Sequence, residues 1–232
     1  MSDYLSRGKR RHTWQARYAE SGPSCFTSTT PFLNSWQARY AESGPLWRGR
    51  PNIVDFRPGD RVLELGCGNG KTAAWLSARP VELHAIDFSP EAVNLCREAV
   101  RQAGGKADIR LMDGRKLLYP DGHFDIVICI HYLAHLKPED RKKAAKEAER
   151  VLKPAGGMLI FREFGTGDFR SGKGRQLPEK RTFERKGIII HYFTKKEVPR
   201  LFPGLKPQSV EIRRWKMCGF QREEVWAEFR KF

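Results

Sequence analysis

The stretch "RVLELGCGNGKTAAWLSARPVELHAID" at residues 61–87 decides the fold of this chain. It begins with an apolar run, passes through a glycine-rich turn into a short helical segment, and ends with a second apolar run that stops at Asp87. Neither run alternates apolar and polar residues, which predicts strands that are covered on both faces. The stretch therefore predicts a strand, helix and strand of a parallel sheet.

The same alternation continues along the chain. In "SPEAVNLCREAVRQAGG", Ser89 supplies an N-cap and Pro90 a first helical residue, so this segment is predicted to be a helix. The segments "ADIRLMDG", "HFDIVICIHYLAHL" and "GMLIFREFG" are predicted strands, with the helix "PEDRKKAAKEAERVLKPAGG" before the last one. The segments "SVEIRRWKM" and "EEVWAEFRKF" are predicted to pair as an antiparallel edge hairpin. We predict a doubly wound α/β fold with a mostly parallel seven-stranded sheet and helices on both faces.

A nucleotide site is predicted at the carboxyl ends of these strands. The turn after the first strand carries Gly66, Gly68 and Gly70, where backbone can approach a ligand closely. Asp87 ends the next strand about twenty residues on, where a carboxylate can accept both ribose hydroxyls. Asp113 follows the third strand, in position to reach an adenine edge. The spacing departs from the G-x-G-x-x-G dinucleotide fingerprint and from the phosphate-binding G-x-x-x-x-G-K-[ST] loop.

The motifs "VLELGCGNGK", "AIDFSPEAV", "LMDG", "FDIVICIHYLAHL" and "VLKPAGGMLIF" resemble those of the class I S-adenosylmethionine-dependent methyltransferases, in order over residues 61–161. The resemblance implies a Rossmann-like fold and S-adenosyl-L-methionine as cofactor. It implies that the glycines hold the methionine portion, that Glu64 orients their loop and that residues 130–132 border the transferred methyl group. The residues it assigns to the cofactor are Trp36, Tyr40, Trp47, Glu64, Gly66, Cys67, Gly68, Asn69, Gly70, Asp87, Phe88, Ser89, Asp113, Gly114, Ile130 and His131.

The tail carries a second resemblance, to the methyltransferase-like family that makes 3-methylcytidine in tRNA. The matching residues are Arg162, Glu163, Phe164, Gly165, Arg185, Gly187, Tyr192, Phe193, Thr194, Lys231 and Phe232. The resemblance implies base methylation of RNA, with tRNA as partner. The chain departs from that family at its N-terminus, where a repeat replaces a long aromatic and basic segment, and in the glycine loop at Asn69 and Lys71. These departures leave the RNA target open.

The charge of the chain agrees with a polyanionic partner. The formal net charge is +16, and after residue 161 Lys and Arg outnumber Asp and Glu about two to one, interleaved with aromatic residues. Such a surface suits phosphate contacts and stacking on an unpaired base. Cytidine N3 has a free lone pair near neutral pH, so its methylation requires no strong base. The candidates for positioning the base are Tyr132, Arg162, Glu163 and Tyr192.

Two identical copies of "WQARYAESGP", at residues 14–23 and 36–45, precede the core. Two copies are too few for a solenoid, which needs about three units to bury a continuous face. We predict a poorly ordered extension at residues 1–35, a lid segment at 36–57 and a methyltransferase domain at 58–232, with a basic substrate-side insertion at 162–196. In the lid, Trp36, Tyr40 and Trp47 are predicted to face the cofactor.

Several alternatives remain open at the level of sequence. The chain is also compatible with a small-molecule or protein methyltransferase of the same fold, with a non-catalytic cofactor-binding adaptor, and with a protein partner. Five scattered cysteines without a C-x-x-C pair predict free thiols, and His131 and His135 lack a third ligand, so no metal site is predicted. Without an apolar run of about 18 residues, no membrane span is predicted. We expect a cytoplasmic protein, with nuclear or mitochondrial addresses as alternatives.

Overall fold

The computed structural model describes residues 35, 36, 38–40 and 56–232 of the chain. Within them the strands are β1 (Arg61–Leu65), β2 (Glu82–Asp87), β3 (Asp108–Leu111), β4 (Ile126–Ile130), β5 (Met158–Phe164), β6 (Arg175–Gln176), β7 (Thr182–Arg185), β8 (Ile188–His191), β9 (Leu205–Met217) and β10 (Phe220–Lys231). The helices are α1 (Lys71–Ser77), α2 (Pro90–Gln102), α3 (Pro138–Val151) and α4 (Val198–Leu201), with a short 3-10 helix at Leu133–His135. Residues 35, 36 and 38–40 are also helical. The first repeat copy and Trp47 lie outside the described residues.

Seven strands form one sheet in the order β3-β2-β1-β4-β5-β10-β9. Strands β3, β2, β1, β4 and β5 are parallel, whereas β10 runs antiparallel to both β5 and β9. The chain starts in the middle of the sheet, winds outward to β3 and then crosses back to β4. The strand order therefore reverses between β1 and β4, which is where open α/β sheets bind ligands. The predicted doubly wound, mostly parallel sheet with its C-terminal hairpin is confirmed.

Apolar clusters cover both faces of this sheet. On one face Leu76 of α1 and Val93 of α2 pack in a cluster with Val62 of β1. On the other face Ala148 of α3 belongs to a cluster with Leu63, the next residue of β1. Because successive strand residues point to opposite faces, β1 needs apolar residues on both, and Val62, Leu63 and Leu65 supply them. The missing alternation in its sequence thus has a direct structural cause.

A second, three-stranded antiparallel sheet follows β5, in the order β6-β7-β8. The segment "IIIHYFT" has a strand-like pattern, whereas the basic, glycine-rich segment before it carries no strand signal. Lys186 and Gly187 connect β7 to β8, with φ of 52° and 73°. Two consecutive residues with positive φ form the tight turn that suits a hairpin. Strands β6 and β7 escaped prediction because they are short, charged and without a run of apolar residues.

A buried network of charges ties this small sheet to α3. Glu179 accepts hydrogen bonds from Arg141 of α3 (2.7 Å) and from Thr182 of β7 (2.7 Å). His191 of β8 is fully buried and lies 2.9 Å from a Glu197 oxygen through its Nε2. Burial lowers the pKa of His191, but its hydrogen bonds to the two glutamates outweigh this effect and raise the pKa above its ordinary value. The network fixes the position of the small sheet relative to α3.

Glu179, His191 and Glu197 also have the chemical types of metal ligands, and the described part of the chain brings their ligand atoms within 4.8 Å of one another. Guanidinium groups already occupy both carboxylates, since Arg141 pairs with Glu179 and Arg181 with Glu197 at 2.8 Å. Two positive charges in contact with the ligands oppose a cation, so we assign the cluster a structural role. None of the helices among the described residues has the length and apolar character that a membrane span requires.

Candidate cofactor and acceptor site

The glycine loop after β1 is tied to the end of β2 by backbone hydrogen bonds. The amides of Gly66 and Cys67 both donate to the carbonyl of Ile86 at 2.9 Å. The Asp87 carboxylate accepts from the amide of Gly68 and, with its other oxygen, from the amide of Ser89, both at 2.9 Å. Asp87 therefore holds two loops at once, at the carboxyl edge of the sheet where the sequence places the ribose.

Positive φ and close neighbours require glycine throughout this loop. Gly66, Gly68 and Gly70 have φ of 73°, 52° and 78°. A Cβ at Gly66 would lie 2.8 Å from Cδ2 of Tyr132, and one at Gly68 would lie 2.7 Å from the hydroxyl of Tyr40. A Cβ at Gly70 would lie 2.7 Å from Cα of Cys96 in α2. No side chain fits here without displacing a tyrosine or a helix, as expected for a loop that approaches a ligand with its backbone.

The two acids of the loop region are buried and have raised pKa values. Burial raises the pKa of Asp87 to about 6, against the hydrogen bonds from Ser89 and Gly68 that lower it. Burial raises the pKa of Glu64 to about 8, although Thr72 and the Ala73 amide hydrogen-bond to it. At neutral pH Asp87 is an anion that can accept ribose hydroxyls, while Glu64 is largely protonated and joins the loop to the first turn of α1. These residues fit the cofactor that the sequence implies.

On the side where the sequence places the adenine, the predicted residues also have partners within the protein. Arg115 encloses the Asp113 carboxylate with its Nε at 2.9 Å and its Nη2 at 2.7 Å. Arg115 also donates to Asp140 at 2.9 Å, so Asp113 belongs to an ion-pair chain. Ser89, for its part, is fully buried and its hydroxyl accepts from the Ala92 amide at 3.3 Å as the N-cap of α2. The side chains of Asp113 and Ser89 thus have structural partners at this edge.

Tyr132 packs against the glycine loop. Its ring contacts the Cβ position of Gly66, and a Cβ at Gly114 would overlap its hydroxyl. Burial raises the pKa of this hydroxyl well above its usual range. Phe88 packs against a cluster that contains Trp36 and Tyr40, while Asn69 and Cys67 are buried within the loop. A hydrogen bond with Cys96 and burial both raise the pKa of the Cys67 thiol.

Two of the three aromatic residues predicted for the lid lie among the described residues, and they pack beside the glycine loop. Trp36 and Tyr40 are 8% and 6% exposed, and their rings stack with centroids 5.7 Å apart. The edge of His135 meets Trp36 at 4.8 Å. Tyr40 stands over Gly68, so this pair spans from the glycine loop to the segment after β4. Trp47 falls outside the part of the chain that the structure describes.

His131 occupies the position next to Ile130, where the sequence places the transferred methyl group. Its φ is 52°, a strained value for a side chain of this kind and one often found at functional sites. The imidazole stacks on Phe164 with centroids 4.1 Å apart, and its Nε2 lies 3.1 Å from Glu224. Burial lowers the pKa of His131, but the hydrogen bonds to Glu163 and Glu224 raise it above its ordinary value. The imidazole thus lies between two carboxylates, with Glu224 at 3.1 Å and Glu163 at 3.8 Å, and both shift its pKa toward the charged form.

The four residues predicted to hold the acceptor base differ in their placement. Glu163 is fully buried, and its Oε1 accepts from the amides of Tyr132 (2.9 Å) and Ala134 (3.1 Å). Arg162 lies over the Trp226 ring at 3.4 Å, and burial lowers its pKa to about 10. Tyr192 is 2% exposed and packs in the core behind Phe164. Glu163 and Tyr192 therefore stand behind the site and fix the residues that face it.

Sequence reasoning missed Glu224 altogether. It lies in β10, opposite Phe164 in the strand register, and its second oxygen accepts from the indole of Trp226 at 2.8 Å. Pairing of an antiparallel strand with β5 brings it to His131, which is 93 positions earlier in the chain. The sequence contains only the pair Glu223 and Glu224 in a charged strand, with no local signal for which one faces the site.

A family model described as "Methyltransferase domain" matches residues 62–156, which contain the glycine loop, Asp87, Asp113 and His131. Residues 62–156 are a methyltransferase domain. A solved SAM-dependent methyltransferase from Methanosarcina mazei is 25% identical, with a TM-score of 0.64 over 76% of this chain and 94% of its own.

Two curated relatives extend beyond that domain. The tRNA N(3)-cytidine methyltransferase METTL2 of Danio rerio is 28% identical over 190 residues, covering 74% of this chain and 54% of its own. The 27-O-demethylrifamycin SV methyltransferase of Amycolatopsis mediterranei is 30% identical over 171 residues, covering 68% of this chain and 58% of its own. The chain thus spans about half the length of the curated relatives it matches. The predicted resemblance to class I methyltransferases is confirmed, and the cofactor of this domain is S-adenosylmethionine.

Proposed function

We propose that this protein transfers a methyl group from S-adenosylmethionine to a base in RNA, with N3 of a tRNA cytidine as the leading target. The observation that carries the proposal is the extent of the match to METTL2 of Danio rerio. It covers 190 residues and therefore includes much of the chain outside the methyltransferase domain at 62–156. Substrate choice in this fold depends on those outer residues.

The residues of the site suit a reaction that needs alignment more than proton transfer. S-adenosylmethionine supplies an electrophilic methyl group that the acceptor displaces in line. The glycine loop and Asp87 orient the donor side, while His131 and Phe164 border the acceptor side, and the aromatic pair of Trp36 and Tyr40 excludes water. Both ring nitrogens of His131 face carboxylates, so it is poorly placed to act as a base. Cytidine N3 requires none.

A small-molecule methyltransferase is the second candidate. The relative from Amycolatopsis, which is 30% identical, is a 27-O-demethylrifamycin SV methyltransferase and favours this alternative. The two candidates differ in electrostatics, because binding driven by phosphate contacts weakens steeply with added salt. The net charge of +16 favours the polyanionic substrate.

The test is incubation of the protein with isotope-labelled cofactor and total tRNA, followed by mass spectrometry of the nucleosides. We expect label in 3-methylcytidine, and loss of that label in the Asp87→Ala variant. Label confined to protein or to small molecules contradicts the proposal. Repeating the assay between 50 and 200 mM salt, roughly the range where phosphate contacts dominate, separates RNA from small-molecule acceptors.

A further inference from the structure

A cavity of about 260 Å³ lies beside Phe164, on the side of the site where the acceptor is predicted to bind. Three elements meet around it: the helical residues 35, 36 and 38–40, the segment after β4, and the small sheet with the end of β5. The residues that line it are Trp36, Arg39, His135, Phe164, Arg170, Arg185, Lys186, Ile188 and Ile190. Phe164 belongs both to this lining and to the stack with His131, so the cavity adjoins the position that the sequence predicts for the transferred methyl group.

The charged residues of this lining are all cationic. Arg39, Arg185 and Lys186 are exposed, and the described residues offer none of them an ion-pair partner. Arg170 pairs with Asp168 at 2.7 Å and lies 4.1 Å over the Phe164 ring. A rim of cations without carboxylates among the lining residues attracts an anion, and guanidinium groups suit phosphate in particular.

The remaining lining is aromatic or apolar. Trp36 and Phe164 contribute aromatic atoms, with Ile188 and Ile190 of β8 also in the lining. His131 and Arg170 already lie over the Phe164 ring, each at 4.1 Å, so Trp36 is the aromatic residue that can contact a ligand ring. Burial lowers the pKa of His135 to about 4, so its ring is neutral. Its Nδ1 lies 2.8 Å from the Ile189 carbonyl and must donate there, which leaves Nε2 as a hydrogen-bond acceptor. An acceptor of this kind suits the amino group of a base.

We propose that this cavity binds one unpaired pyrimidine nucleotide of the RNA substrate, with its base beside Trp36 and His135 and its flanking phosphates on Arg39, Arg170, Arg185 and Lys186. The inference rests on the proposed function and identifies the residues that receive the acceptor. Stacking of a base on aromatic side chains combined with basic contacts to the backbone is how proteins hold single-stranded RNA. The volume is below the roughly 300–1,000 Å³ of ordinary ligand pockets, which favours a single base of the smaller kind.

Substitutions at the turn between β7 and β8 provide the most informative test. Replacing Arg185 and Lys186 together by alanine removes two exposed cations that have no ion pair among the described residues, so the fold should remain. We expect tRNA binding to weaken by about tenfold, or about 1.4 kcal/mol, because each of the two exposed charged contacts contributes less than about 1 kcal/mol. The slope of log K against log salt should become shallower by about 1.4, at about 0.7 for each single-strand phosphate contact.

A matched control removes the same charge elsewhere. Lys142 and Lys143 are exposed on α3, with Glu139 and Asp140 as their partners, and they do not line the cavity. Replacing both by alanine should leave tRNA affinity and its salt slope close to wild type. Cofactor affinity by calorimetry should be unchanged in both double variants. Equal losses in the two variants would show a general charge effect and overturn the inference.

Calorimetry with small probes tests the cavity without turnover. Cytidine 5′-monophosphate should bind the wild-type protein more tightly than cytidine or ribose 5-phosphate, because only the whole nucleotide reaches both the rings and the cations. The Arg185→Ala, Lys186→Ala variant should lose that advantage. An acidic peptide that binds as well as the nucleotide, with the same dependence on Arg185 and Lys186, would assign the cavity to a protein partner and overturn the proposal.

The outcomes separate this inference from the proposed function. If the wild-type protein methylates tRNA and the hairpin variant keeps its KM and salt slope, the proposed function stands and the cavity assignment is wrong. If the wild-type protein methylates no RNA, the proposed function fails. In that case nucleotide binding that depends on Arg185 and Lys186 supports a nucleotide cavity, and its absence overturns it.

Discussion

The two edges of the site differ in which atoms form their surface. The donor edge comprises the glycine loop and Asp87, and the acceptor edge comprises His131, Phe164 and the cavity beside them. At the donor edge the backbone forms the surface, with glycines at positive φ and the Asp87 carboxylate between two loop amides. At the acceptor edge the surface consists of side chains from separate elements, including Trp36, Phe164 and Arg185. A backbone surface has no room for an added atom, whereas a side-chain surface loses affinity by degrees. Substitutions should therefore act abruptly at the first edge and gradually at the second.

The largest effect is expected from Asp87→Ala. It removes the acceptor of the Gly68 and Ser89 amides together with the predicted partner of the ribose. Hydrogen bonds to charged groups contribute about 1.5–3 kcal/mol each, so losing the two predicted bonds from the ribose hydroxyls weakens cofactor binding by about 100-fold or more. Calorimetric titration with the cofactor measures this change. Asp121→Ala, which removes an exposed carboxylate, is the control. If Asp87→Ala binds the cofactor within a few fold of wild type, the claim that substitutions at the donor edge act abruptly is wrong.

A steric change at the same edge comes next. Gly70→Ala adds a Cβ 2.7 Å from Cα of Cys96, so α2 must shift in addition to the strain of φ at 78°. Overpacking and strain together cost about 2–4 kcal/mol, which thermal unfolding detects as a lower Tm. Gly59→Ala provides the matched control, because its φ is 86° and nothing lies within 4 Å of the added atom. Equal destabilisation of the two variants would leave backbone strain as the whole effect.

The donor edge could be predicted from sequence because its chemistry is local. Strand β1, the glycines and Asp87 lie within 27 residues, and a loop between parallel strands has few arrangements available. The sheet, its order of elements and the C-terminal hairpin followed from the same periodicity. The predicted N-cap at Ser89 is present, with its hydroxyl accepting from the Ala92 amide. The ion pair between Asp113 and Arg115 did not follow, since it depends on side-chain conformation.

The acceptor edge resisted prediction because it is assembled over long distances in the chain. Tyr192 is an aromatic residue in the expected order, yet packing of β8 against the main sheet buries it in the core. Glu224 reaches His131 only through the register of β10 against β5. The basic segment that contains Arg175 and Arg185 gave no strand signal, although it forms the sheet that carries two cations of the cavity. The local sequence does not reveal how distant strands align, so it cannot show which of their residues meet at the acceptor edge.

A smaller, pH-dependent effect is expected at Asp87. Burial raises its pKa to about 6, so the carboxylate that accepts ribose hydroxyls is present above pH 6 and is lost as the pH falls below it. Cofactor affinity should drop by about tenfold for each pH unit below 6. The stability of the free protein changes in the opposite direction, since between about pH 4 and 6 the folded state holds a proton that the unfolded state has released. Stability therefore decreases as the pH rises through that window.

The control for this prediction is Asp87→Asn, which keeps the size of the side chain and removes its titration. Its cofactor affinity, although weaker, should not vary between pH 5 and 7. An acidic decline that persists in Asp87→Asn would assign the titration to another group. His131 is the neighbouring candidate, because its contacts with Glu163 and Glu224 raise its pKa above the ordinary histidine value.

The smallest effect is expected from removal of residues 1–35, which deletes the first copy of "WQARYAESGP" and keeps the second. Trp36 and Tyr40 reach the site from the second copy, where Tyr40 stands over Gly68 and Trp36 lines the cavity. Because both contacts remain, cofactor affinity should stay within about twofold of wild type, which is less than 0.5 kcal/mol. Calorimetry on the shortened chain measures this, with Tyr40→Ala in the full-length chain as the comparison that should bind more weakly. If the shortened chain loses as much cofactor affinity as Tyr40→Ala does, both copies of the repeat contribute to cofactor binding.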